Sequence, residues 1–60
     1  MIGNLPNDPM ICLSVVNTKL RDVYPNLDAL CADLQVDKDT LVQKLYEIDY
    51  EYDLSRNQFI

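Results

Sequence analysis

The sequence predicts a mostly α fold: a three-helix bundle, helix-turn-helix-like in its second and third helices, closed by a short C-terminal β-hairpin. Three observations support this. Asp8, Asn26 and Asp37 are each a good N-cap residue standing just ahead of a run whose apolar side chains recur at three- and four-residue steps. Beyond Ile48 the period changes from helical to alternating. The chain has 60 residues, enough for one small domain and one thin core.

Residues 1–7 read as an extended arm, because Gly3, Asn4, Pro6 and Asn7 all resist helix, with Leu5 free to pack back on the body. The first helix opens at Asp8, and Pro9 fits the first helical position, where its missing N–H costs nothing. Leu13, Val16, Leu20 and Val23 form its buried stripe, with Ile11 and Val15 widening it or lying beside it. Pro25 biases Tyr24 away from helix and closes the element.

The second helix follows Asn26, with Asp28 in its first turn complementing the dipole. Leu27, Leu30, Cys31 and Leu34 share one face. Gln35 and Val36 make the turn, and Asp37 caps the third helix. There Leu41, Leu45 and Ile48 face inward, and Val42 and Tyr46 form a second apolar pair. Thr40 stands where a capping box would carry Glu or Gln. Ile48, Tyr50 and Tyr52 then alternate with Asp49, Glu51 and Asp53, as in a half-buried strand. Leu54 to Asn57 reads as a turn, with Asn57 able to take a positive φ, and Gln58 to Ile60 as the returning strand. Residues 49–60 are thus the expected hairpin, within a single domain of residues 1–60.

Composition narrows the function. Ten acidic side chains face five basic ones, a formal charge of −5 that repels phosphate backbones and anionic lipid. The basic residues Lys19, Arg21, Lys38, Lys44 and Arg56 are scattered, so nucleic acid is disfavoured as a partner. No apolar run approaches the roughly 20 residues that span a bilayer. The N-terminus lacks the basic and apolar regions of a signal peptide, and Cys12 and Cys31 lie in apolar contexts as small core hydrophobes, with one bridge between two helices left open. A cytoplasmic home is the expectation.

Catalytic chemistry is nearly missing. The chain has no histidine, Ser14 and Ser55 have no activating neighbour in sequence, neither cysteine lies in a nucleophile motif, and the single glycine forms no phosphate loop. No enzyme activity, cofactor or metal is expected. The run from Asp49 to Asp53 could bring three carboxylates together, but it lacks a calcium-loop pattern and reads better as a solvated strand face or an anionic surface that docks a basic partner. Readout of DNA by the third helix meets a local objection, since its first turn would present Asp37 and Asp39 to phosphate.

What remains is a non-catalytic protein-interaction or regulatory module, with a protein partner or self-association as a homodimer, and a helix-turn-helix nucleic-acid binder as the alternative. The candidate surface comprises Asn17, Lys19, Arg21, Val42, Tyr46 and Tyr50. For Asn17, beside the apolar stripe, a structural role toward the second helix or the hairpin competes with a contact role.

The runs Ile2-Gly3-Asn4-Leu5-Pro6, Asp8-Pro9 and Val16 to Asp22 resemble small bacterial proteins of domain-of-unknown-function family 4250. Tyr24-Pro25, Leu27 to Cys31, Ile48 to Asp53 and Arg56 to Phe59 fit the same pattern. The resemblance covers nearly the whole chain and implies a complete bacterial, cytoplasmic protein. It implies no activity, ligand or site residue.

Overall fold

A computed structural model of the chain describes residues 5–60. Asp8 opens the first helix, α1 (Pro9–Asp22), its carboxylate accepting from the backbone N–H groups of Met10 at 2.9 Å and Ile11 at 3.2 Å. Those bonds satisfy two of the donors that a helix start leaves free. Lys19 and Arg21 stand in the last turn, where cations complement the helix dipole. Cys12, Leu13, Val16 and Leu20 are buried along one stripe.

Val23 departs from the expected stripe. The helix stops at Asp22, Val23 takes a non-helical conformation, and its side chain is 64% exposed. The N–H groups of Val23 and Tyr24 both donate to the Lys19 carbonyl, so the helix closes with a wide five-residue bond before Pro25 is reached.

Asn26 caps α2 (Leu27–Leu34) by accepting from the Ala29 N–H at 2.8 Å. Leu27, Leu30 and Cys31 are buried, and Leu34 packs half-buried against them. At its end Gln35 adopts a left-handed conformation (φ 56°), and the Val36 N–H reaches back to the Cys31 carbonyl at 2.9 Å. This is a Schellman ending with glutamine at the position glycine usually holds, and Val36 and Cys31 are both buried beside it.

Asp37 caps α3 (Lys38–Tyr46), accepting from both the backbone N–H and the hydroxyl of Thr40 at 3.0 and 2.7 Å. Thr40 thus contributes a bond of its own where a capping box would place Glu. Leu41 and Leu45 are fully buried, and Ile48 is half-buried just past the helix end.

The strand expected to begin near residue 49 begins later. Asp49 takes a positive φ of 66°, and the Tyr50 N–H bonds the Leu45 carbonyl at 3.0 Å, so residues 47–50 finish the helix. The strands are β1 (Tyr52–Asp53) and β2 (Gln58–Phe59), antiparallel, with Tyr52 opposite Phe59 and Asp53 opposite Gln58. Reciprocal backbone bonds between Glu51 and Ile60 extend the ladder by one pair. The Asp53 carboxylate organises the turn by accepting from the Ser55 and Arg56 N–H groups and the Ser55 hydroxyl.

One core joins these elements. Leu5 from the arm and Phe59 from β2 lie in it at 1% exposure, with Val16, Leu20, Leu27, Leu30, Leu41 and Leu45. Of the expected extended arm, residues 1–4 lie outside the described residues. The Tyr52 and Phe59 rings pack tilted, 5.5 Å between centroids.

Candidate interaction surface

Asn17 is half-buried on α1, and both polar atoms of its amide are engaged. Its Oδ1 accepts from the Phe59 N–H at 2.8 Å and its Nδ2 donates to the Phe59 carbonyl at 3.0 Å. A carboxamide carries one acceptor and one donor side by side, so it can stand in for a neighbouring strand. Asn17 therefore fixes the hairpin on α1. It does not share a face with Lys19, because helix residues two apart point away from each other. Arg21 is occupied by Asp22, with two bonds at 2.9 and 3.0 Å. The three α1 candidates do not form one patch.

A second asparagine closes the other end of the hairpin. Asn57, at φ 53°, donates from Nδ2 to the carbonyls of Leu20 and Tyr24, both at 3.0 Å. These are carbonyls at the end of α1, where backbone acceptors lack helical partners. Its Oδ1 accepts from the Tyr52 hydroxyl at 2.6 Å, and that hydroxyl accepts from the Leu27 N–H at 3.3 Å. One side chain thereby links the end of α1, the start of α2 and β1. The turn signal of Asn57 is local, whereas its partners lie up to 37 residues away, so its side-chain role has no sequence signature.

On α3, Val42 is half-buried against the core, Tyr46 is 59% exposed, and Tyr50 is half-buried after the left-handed turn. Asp39, Thr40, Gln43, Lys44 and Glu47 line a shallow depression of about 410 Å³ on the outward side of the helix.

Charge is unevenly compensated around this helix. Arg21 pairs with Asp22, Lys38 with Asp28 at 2.8 Å, and Arg56 with Asp53 at 3.7 Å. Lys44 donates to Asn7 at 3.4 Å, and the Tyr24 hydroxyl donates to Asp33. The hydrogen bond from Arg21 holds the Asp22 carboxyl below its ordinary range, the Thr40 hydroxyl does the same for Asp37, and the Ser55 hydroxyl for Asp53. By contrast, Asp39, Glu47, Asp49 and Glu51 are exposed and make no ion pair or side-chain hydrogen bond among the described residues. All four lie on α3 or in the segment directly after it, the stretch that also carries Tyr46.

The two cysteines are free and buried, and burial pushes both thiols up, away from the reactive thiolate. Among the described residues, no group of three His, Cys, Asp or Glu side chains is placed to hold a metal ion. Comparison with protein families matches residues 6–59 to a domain of unknown function, DUF4250. The chain belongs to that family. The match takes in all three helices and the hairpin, so both asparagine links and the acidic segment lie inside the DUF4250 domain. Comparison with curated proteins and with solved structures finds no match. No helix among the described residues of this DUF4250 domain is long and apolar enough to cross a membrane.

Proposed function

We propose that this domain is a non-catalytic protein-interaction module, and that it docks a partner protein carrying basic side chains onto α3 and the segment following it. The observation behind this reading is that four carboxylates unpaired among the described residues, Asp39, Glu47, Asp49 and Glu51, lie on α3 or in the segment after it, the stretch that also carries the exposed Tyr46. Exposed carboxylates steer an oppositely charged partner and set its register, and an aromatic ring supplies contact area that excludes water. Most other acidic side chains already serve the fold, as caps, turn acceptors or ion-pair partners.

The same distribution ranks the other partners lower. A second copy docked through this face would set like charges against each other. A phosphate backbone would meet the carboxylates of α3, while Lys38 and Arg56 are already engaged by Asp28 and Asp53. Two free, buried cysteines suit a reducing setting, which supports a cytoplasmic location for the module.

Co-purification of the tagged full chain from its host tests the reading. Glu47→Lys and Tyr46→Ala are compared with Thr18→Lys, which places a lysine at an exposed position of α1 and changes the net charge by +1 against +2 for Glu47→Lys. Recovery of the partner should survive Thr18→Lys, fall at least tenfold with either α3 variant, and weaken as salt is raised. Equal recovery with all four proteins would overturn the assignment of the face. Association with nucleic acid that resists nuclease would overturn the module itself.

A further inference from the structure

We draw no further inference here: the strongest candidate, the pair of exposed apolar side chains Met10 and Ile11 in the first turn of α1, is an unpartnered surface, and nothing in the structure shows what covers it.

Discussion

Replacing Asn57 by alanine removes three hydrogen bonds at once: two from Nδ2 to the Leu20 and Tyr24 carbonyls, and one that Oδ1 accepts from the Tyr52 hydroxyl. A typical protein hydrogen bond contributes a net of about 1 kcal/mol, so the bonds account for roughly 2–3 kcal/mol. Asn57 also sits at φ 53°, a conformation that asparagine tolerates and that costs alanine about 1 kcal/mol more. A total of about 3–4 kcal/mol shifts the folding equilibrium roughly 150- to 700-fold. The cores of domains this small supply only about 3–5 kcal/mol, so the variant should be close to half unfolded at 25 °C. Urea titration followed by far-UV circular dichroism reads this directly as a lowered midpoint. Asn57→Gly keeps the left-handed conformation but makes none of the bonds, and should fall between wild type and alanine. Asn57→Asp would aim a carboxylate at two carbonyl oxygens. Its folded-state pKa is then raised, so the stability gap to wild type should be widest at neutral pH and narrow as the carboxyl is protonated on acidification. An alanine variant within 0.5 kcal/mol of wild type would refute the claim that this side chain ties three elements together.

Asn17→Ala should cost about 2 kcal/mol and speed amide exchange at Phe59 more than at Leu41, because it frees the Phe59 N–H and carbonyl specifically. Uniform acceleration at both amides would show that the bond does not act locally. Gln35→Gly should raise the thermal midpoint by a few degrees, about 0.5–1 kcal/mol, by relieving a side chain held at φ 56°; an unchanged or lower midpoint would count against strain there. Acid should destabilise the chain in a defined window. The Asp22, Asp37 and Asp53 carboxyls are held low by their hydrogen bonds, so their contribution is present above the ordinary carboxylate pKa of about 3.9 and is lost as pH falls below it. Stability measured from pH 7 to 2 should be flat and then drop, and Asp37→Asn with Asp53→Asn should shallow that drop.

The parts of this fold that can be read from sequence are those whose causes are local. Asp8, Asn26 and Asp37 act on N–H groups two or three residues ahead, so capping residue and helix start appear together in the chain. The stripes of α1, α2 and α3 are likewise set by spacing alone. Val23 fits the spacing and is nevertheless exposed, because the helix ends a residue before it, and periodicity does not say where a helix stops. The alternation at Ile48, Tyr50 and Tyr52 looks like strand, but its first half is consumed by the left-handed turn at Asp49, which an aspartate can adopt without glycine. The turn at Gln35 and Val36 is legible from the elements on either side, but nothing in a glutamine signals its left-handed conformation, which buried Val36 and its bond to Cys31 hold in place. The hairpin links of Asn17 and Asn57 span 42 and 37 residues, distances over which no pattern exists to be read. The acidic face has the same origin. Ten carboxylates are evident in the chain, yet which of them remain unpaired depends on partners that only the fold supplies.

Those long links decide whether the hairpin is a movable strap or part of the body. Lifting it would expose Phe59, whose burial is worth roughly 1.5–3 kcal/mol. It would also break five hydrogen bonds to α1, α2 and the loop between them, made by Asn17, Asn57 and Tyr52, at about 1 kcal/mol each. The chain freed by opening regains conformational entropy, but the lost contacts make separate opening of the hairpin unfavourable. Helices and hairpin therefore fold and melt as one unit. Glu51, on the hairpin, is then held relative to Asp39 on α3 and to Glu47 just past its end. A partner's basic groups would meet carboxylates already in place, without ordering a segment on binding. Binding at that face should accordingly raise the stability of the entire chain by mass action, from Leu5 to Phe59, rather than that of α3 alone.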